Sequence, residues 1–221
     1  MRTTGYITVV GVFDMNWTFL FEMTGTIAFA ISGAMTAVDE RMDIFGVCML
    51  GMTTATGGGI LKDIILGMTP PGAFRNPVYA CTAIAVSLAV FHPYIRKTFH
   101  QAGRLFGPLR MFMDTVGLAV FTVAGISTGM TYAPSPNLFL SVFVGTLTGV
   151  GGGVLRDIMA GRTPMIFRTW FYASASIIGG ICTALLWKRI GNINAMFAGA
   201  ILIILLRGLA IRYHWKLPRA E

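Results

Sequence analysis

Apolar runs of about twenty residues, separated by short polar or proline-rich breaks, recur along this chain between residues 17 and 211. A helix that crosses a bilayer needs roughly 20 predominantly apolar residues. The runs predict seven such helices, at 17–38, 44–66, 77–95, 109–130, 138–160, 168–187 and 193–211. Asp39-Glu40-Arg41-Met42-Asp43 closes the first run, and Pro70-Pro71 follows the second. The longest charged connection, with Arg96, Lys97, His100, Arg104 and Arg110, follows the third, and Lys188-Arg189-Ile190-Gly191-Asn192 precedes the seventh. No stretch reads as a linker or a water-soluble domain, so the pattern predicts one all-α membrane unit. Residues 1–17 carry a short, mildly apolar run without a small-residue cleavage site, and no signal peptide is expected there.

Composition agrees with the pattern. Of the residues, 55% are hydrophobic, 12% are charged and the mean hydropathy is +0.71, whereas a soluble domain carries about 25% charged residues. The net charge of +8 does not point to nucleic acid, because the basic residues sit mainly between and after apolar runs, as orientation signals do. Arg96, Lys97, Arg104 and Arg110, then Arg162 and Arg168, then Arg207, Arg212, Lys216 and Arg219 fall on one side. Arg75, Lys188 and Arg189 fall on the other. This bias predicts an N-terminus outside and a C-terminus in the cytoplasm. The acidic loop after the first run shares the basic side by parity. Trp17, Trp170, Trp187 and Trp215 lie at run ends, as an aromatic belt requires. Cys48, Cys81 and Cys182 lack CxxC spacing and read as packing residues, and His92, His100 and His214 are scattered near run ends.

One motif stands out because it occurs twice. Gly57-Gly58-Gly59-Ile60-Leu61-Lys62-Asp63 is matched ninety-four residues later by Gly151-Gly152-Gly153-Val154-Leu155-Arg156-Asp157. Gly67 with Thr69-Pro70, and Gly161 with Thr163-Pro164, follow at equal distances. Small-xxx-small ladders precede both, Gly51/Ala55/Gly59 and Gly145/Gly149/Gly153, and such ladders let another backbone come close. The repetition extends further: Glu22, Gly25, Phe29, Gly33 and Thr36 match Asp114, Gly117, Phe121, Gly125 and Thr128, and Tyr79 matches Tyr172. Two three-helix units result, 17–95 and 109–187, joined by a cytoplasmic connection at 96–108 and followed by a seventh helix at 193–211. Three is odd, so the second unit enters from the opposite side and the two form inverted repeats.

The chemistry concentrates at that motif. Three successive glycines each weaken a helix by about 1 kcal/mol relative to alanine, so both helices are expected to unwind or bend there. Irregular backbone at membrane depth survives only in protein or beside water. Lys62, Asp63, Arg156 and Asp157, beside the breaks at Gly57, Gly58, Gly59, Gly151, Gly152 and Gly153, are expected to form a polar, nearly neutral constriction on a polar pathway, where freed carbonyls can coordinate a cation. Neighbouring helical residues point about 100° apart, so the expected pairing is crossed, Lys62 with Asp157 and Arg156 with Asp63. Glu22 and Asp114 either line an entrance or cap helix starts. Thr53, Thr54, Thr56, Thr146 and Thr148 offer hydroxyls either to an ion or back to their own helices. The runs hold no GxxxxGK[ST] loop, no Ser/His/Asp or Cys/His constellation and no metal-ligand spacing, so no enzyme, metal or cofactor is expected.

The double GGG-x-x-[K/R]-D motif, the G-x-T-P after each copy, the three-plus-three-plus-one organisation and the length resemble the prokaryotic branch of the trimeric intracellular cation (TRIC) channel family, also described as a glycine-transporter-like membrane family. The resemblance covers nearly the whole chain. It implies a homotrimer in the cell inner membrane, in contact with membrane lipids, in which each protomer has its own potassium-permeable pore. That pore forms around kinked second and fifth helices, with a basic residue near each glycine break contributing to the gate. With Lys62 and Arg156 at its centre and no TVGYG-like filter, such a pore is expected to separate K+ from Na+ only modestly. The alternative is a secondary carrier that holds glycine or another small zwitterion between half-helix ends, with the amine near Asp63 or Asp157.

Overall fold

The computed structural model describes residues 17–95, 103–132, 137–168, 171–213 and 215. Among these there is no strand, and besides helical residues at 93–95 nine helices are described: α1 (Trp17–Asp39), α2 (Ile44–Ile65), α3 (Gly72–Arg75), α4 (Val78–Phe91), α5 (Gly103–Tyr132), α6 (Leu138–Met159), α7 (Met165–Arg168), α8 (Ala173–Ile190) and α9 (Asn192–Arg212). Five of them, α1, α2, α5, α6 and α9, are long and apolar enough to cross a membrane, whereas α4 has 14 residues. Residues 1–16, Arg96, Lys97 and His100, the turn at 133–136, Trp170, His214, Lys216 and Arg219 lie outside the described residues.

Each predicted run contains one long helix, and the differences lie at the ends. The third stops at Phe91 rather than 95, because His92 turns to ψ 134 ahead of Pro93 and a residue before proline avoids helical geometry. The sixth starts at Ala173 rather than Arg168, since Phe171 sits in the left-handed region at φ 60 and separates it from the short α7. The fourth reaches back to Gly103, so Arg110 is helical and not part of a loop. There it pairs with Asp39 at 3.2 Å, while Arg162 pairs with Asp39 and Glu40. These exposed pairs explain why an acidic turn sits on the basic side, and each contributes little to stability.

The two glycine-bearing helices are built alike. Asp43 accepts from Gly46 N at 2.8 Å and Asn137 accepts from Leu140 N at 2.7 Å, so each helix begins on an Asx cap. At the other end Gly67 (φ 70) and Gly161 (φ 68) close them. Met68 N donates to Asp63 O and Arg162 N to Asp157 O, both at 2.8 Å, while Gly67 N and Gly161 N donate to Ile64 O and Ile158 O. This is the Schellman pattern, which satisfies the last carbonyls and requires a residue tolerant of positive φ.

The helices do not unwind at the glycine triplets. Both α2 and α6 run unbroken through them, because the missing side chains are used for contact. A Cβ on Gly58 would land on the carbonyl oxygen of Thr148, and one on Gly152 would land on the carbonyl oxygen of Thr54. The crossing is therefore backbone against backbone and reciprocal. The tightness extends to α1 and α5: Gly33 lies against the backbone of Leu50 and Gly51, and Gly125 lies against that of Gly145. Phe29 fills the space beside Gly117 and Phe121 the space beside Gly25, with the two rings 5.2 Å apart. Most of the threonines before the glycines also face inward. Thr54, Thr56 and Thr148 donate to carbonyls four residues back, at 2.6, 2.9 and 2.6 Å, so the back-bonding role holds for these three.

Gly59 differs from Gly58, since nothing lies within 4 Å of the position its Cβ would take. Gly58→Ala is therefore expected to destabilise the protein by about 3 kcal/mol or more through overpacking against backbone. Gly59→Ala is expected to be neutral or to stabilise by up to about 1 kcal/mol through helix propensity. Thermal unfolding in detergent checks both, and equal effects would contradict the crossing described here.

Candidate functional site

Beside Gly59 a cavity of about 620 Å³ opens among α1, α2, α4 and α5. Its walls come from the first turns of α1 (Thr18, Glu22), the last turns of α2 and α5 (Lys62, Asp63, Thr128, Thr131) and Asn192 at the start of α9. It thus opens at the end of the bundle where α1 begins, and it reaches inward to Ala55, Thr56 and Phe121. Lys62 and Asp63 are buried, while Glu22 is half-buried in the cavity wall. The Asp63 carboxylate bonds Lys62 Nζ at 2.8 Å through Oδ1 and accepts from Gly72 N at 2.6 Å through Oδ2. Lys62 Nζ also approaches Thr128 Oγ1 at 3.4 Å. Tyr79 donates to Glu22 Oε2 at 2.6 Å. Two carboxylates, Glu22 and Asp63, and two bases, Lys62 and Arg75, therefore line the cavity, with the exposed Arg75 donating to Thr69 O.

At the opposite end of the bundle the matching residues close on one another. Arg156 is 2% exposed. Its guanidinium holds Asp157 Oδ1 through Nε and Nη2, both at 2.8 Å, and through Nη1 it holds Asp114 Oδ1 at 2.5 Å and Ser32 Oγ at 2.6 Å. Met165 N donates to Asp157 Oδ2 at 2.8 Å, as Gly72 N does to Asp63. Gly153 has no open space beside it; a Cβ there would meet the Tyr172 hydroxyl at 3.0 Å. A planar fork with five donors spans three acceptors where a lysine reaches fewer. The result is a closely packed cluster of buried charges in place of a cavity.

The crossed pairing is overturned: each base pairs with the acid next to it in its own copy. The reason lies in the loops. Backbone amides of Gly72 and Met165 pull each carboxylate to one side, and the flexible stems of Lys62 and Arg156 bend across the intervening angle to meet it. Nor does Glu22 or Asp114 cap a helix, for Glu22 lies more than a turn into α1 and Asp114 lies well inside α5. Glu22 is in the cavity, and Asp114 is fully buried against Arg156.

Three participants were not singled out from the sequence. Tyr79 and Tyr172 were visible only as a matched pair in the repeat. Arg207, counted among the cytoplasmic charges, is fully buried within α9, with its guanidinium 4.7 Å from the Tyr172 ring centre. A charge four residues from a predicted helix end was the available signal. Among the described residues no group of three or more His, Cys, Asp or Glu could hold a metal ion, and the three cysteines are free.

Known proteins share this sequence pattern and fold. The family model described as Glycine transporter matches residues 19–94 and again 111–188. The UPF0126 inner membrane protein YadS of Escherichia coli (strain K12) is 38% identical over 199 residues, spanning 89% of this chain and 93% of that protein. A UPF0126 membrane protein of Vibrio cholerae is 35% identical over 206 residues, spanning 93% and 83%. Among solved structures, a TRIC cation channel studied for its conductance superposes with a TM-score of 0.78 at 37% identity, covering 96% of this chain and 98% of that one. A prokaryotic TRIC channel crystallised in 0.5 M KCl gives 0.81 at 30% identity, covering 90% and 98%. These relatives are membrane proteins and channels, not enzymes. With more than two thirds of its residues inside the repeated family match and 90–96% of its length inside the structural ones, this multi-pass membrane protein belongs to the prokaryotic TRIC channel family, the family described as Glycine transporter.

Proposed function

We propose that the protein is a monovalent cation channel permeable to potassium, with a pore in each protomer of a homotrimer in the cell inner membrane. The observation that carries this reading is the cavity beside Gly59, which leads from one end of the bundle past Glu22, Lys62 and Asp63 inward to Ala55, Thr56 and Phe121. Its lining carries Glu22 and Asp63 against Lys62 and Arg75, a mixed polar wall with no net charge, so the carboxylate and carbonyl oxygens rather than a charge excess would have to favour cations within it. The path continues on the far side through Arg156, Asp157 and Asp114, and there it is barred in this conformation. Family membership supports the channel class, since the solved relatives are described as TRIC cation channels.

The architecture that goes with this reading has seven membrane spans: a three-helix repeat at 17–95, a cytoplasmic connection at 96–108, an inverted three-helix repeat at 109–187 and a seventh helix at 193–211. The reciprocal contacts Gly58/Thr148 and Gly152/Thr54, and Phe29/Gly117 and Phe121/Gly25, support a two-fold relation, as does the double match of one family model. The N-terminus is outside, so the open cavity faces out and the Arg156 site faces the cytoplasm. A carrier of glycine or another small zwitterion is the second reading, favoured by one observation: an open half and a closed half is the geometry of alternating access.

Purified protein in a planar bilayer under a KCl gradient is expected to give discrete currents that reverse near the potassium equilibrium potential, with only a modest change when sodium replaces potassium. Silent bilayers together with saturable glycine uptake in liposomes would support the carrier instead. Glu22→Gln keeps an acceptor for Tyr79 but removes one charge, so potassium conductance should fall about twofold at 0.1 M salt. The difference should vanish at 1 M, where the screening length shrinks from about 10 to about 3 Å. A salt-independent change would place the effect elsewhere. Arg156→Lys keeps the charge and loses the fork, so open probability should rise several-fold, on the order of 1 kcal/mol; an unchanged value would remove Arg156 as the bar.

A further inference from the structure

Three polar groups left over by the ion pairs converge beside Arg156. Asp114 Oδ2, the Tyr172 hydroxyl and all three guanidinium nitrogens of Arg207 are buried, and none has a hydrogen-bond partner. Asp114 and Arg207 are fully buried and Tyr172 is 2% exposed. The Tyr172 hydroxyl and Asp114 Oδ1 lie 3.0 and 3.5 Å from the point where Gly153 would carry a Cβ, so both pack against this glycine and stand close to one another. Arg207 lies over the same tyrosine ring, and the Asp114 carboxylate acts electrostatically on both residues.

A guanidinium cannot shed its proton, and the attraction of one ring face does not offset the loss of water around a buried charge. Arg207 therefore requires an anion within reach in some state of the protein. The outer half supplies a pattern for that state. There the tyrosine matching Tyr172 donates to the carboxylate matching Asp114, Tyr79 to Glu22 at 2.6 Å. The base matching Arg156 pairs with its neighbour Asp63 and leaves Glu22 alone. In the inner half Arg156 holds both Asp157 and Asp114, and the tyrosine goes without. Arg156 and Arg207 against Asp114 and Asp157 make two bases and two acids. An exchange of partners among them changes no net charge and needs no counter-ion.

We propose that Arg207, on the helix outside the two repeats, is a positioning residue of the inner gate: together with Tyr172 it takes over Asp114 when Arg156 releases that carboxylate. This rests on the channel reading. The seventh helix thereby stabilises the open arrangement of a pore whose walls the repeats supply, and two alternative claims on one buried carboxylate give a two-state element.

Single-channel recording of Arg207→Gln, Arg207→Lys, Tyr172→Phe and Asp114→Asn, with and without Arg207→Gln, tests this. Arg207→Gln is expected to lower open probability at least about fivefold, while Arg207→Lys retains most of it. Tyr172→Phe, which keeps the ring beneath the guanidinium, should shift it in the same direction and carries the test if Arg207→Gln does not fold. In the Asp114→Asn background, Arg207→Gln should have no further effect. An unchanged open probability in Arg207→Gln or, where that variant does not fold, in Tyr172→Phe overturns the proposal, as does an equal loss with and without Asp114. If the unmodified protein carries no current, it is the channel reading that fails. Thermal unfolding of the purified variants then still reads the pair: non-additive shifts for Arg207→Gln and Asp114→Asn are expected, and additive shifts overturn it.

Discussion

The contact on which everything else depends is the crossing of α2 and α6, where Gly58 meets the Thr148 carbonyl and Gly152 meets the Thr54 carbonyl. Lipid tails supply no hydrophobic force between helices, so association rests on close packing, and packing is closest where side chains are absent. Because the contact is reciprocal, it fixes both helices at matching heights and sends their C-terminal turns to opposite ends of the bundle. Each end then carries its own base, its own acid and its own amide-anchored carboxylate. Both helices run continuously through this contact, with the space beside Gly58 and Gly152 taken by each other's backbone.

From that shared frame the two ends diverge through a few side chains. Lysine at position 62 reaches its neighbouring acid and one threonine, leaving Glu22 to Tyr79 and the space beside Gly59 open. Arginine at position 156 has the reach and the donors to gather Asp157, Asp114 and Ser32 at once, and the matching space is filled. Buried ion pairs are costly to assemble and more costly to break by halves, so a site of this kind favours a definite arrangement more than it adds stability. Arg207, on the helix outside the two repeats, adds a further buried charge beside the Arg156 cluster.

Much of the fold was legible because apolar run length and turn chemistry are local properties. Asp43, Asn137, Gly67 and Gly161 stop and start helices through their own backbones, and the repetition of Gly25, Phe29 and Gly33 at Gly117, Phe121 and Gly125 marked the internal relation. The pairing of charges was not legible, since it depends on where the Gly72 and Met165 amides stand after the loops fold back. The glycine triplets were misread as breaks because propensity treats a helix alone, and here a partner backbone fills the gap. Arg207 was hidden among orientation charges, for a base near a helix end snorkels in most sequences and is buried in few. What marked the site itself was the coincidence of charge and glycine at two places a fixed distance apart.

The central claim is that one half of the path is wet while its structural counterpart is sealed. Thr56 and Val150 occupy matching positions, the first in the cavity wall and the second packed in the core at 5% exposure. In a background with Cys48, Cys81 and Cys182 replaced, the rate at which a membrane-impermeant thiol reagent modifies Thr56→Cys and Val150→Cys from each face measures the asymmetry directly. Rapid modification at position 56 from the face where α1 begins, with position 150 inert from both faces, is the predicted result. Similar rates at the two positions, or an inert position 56, would contradict it.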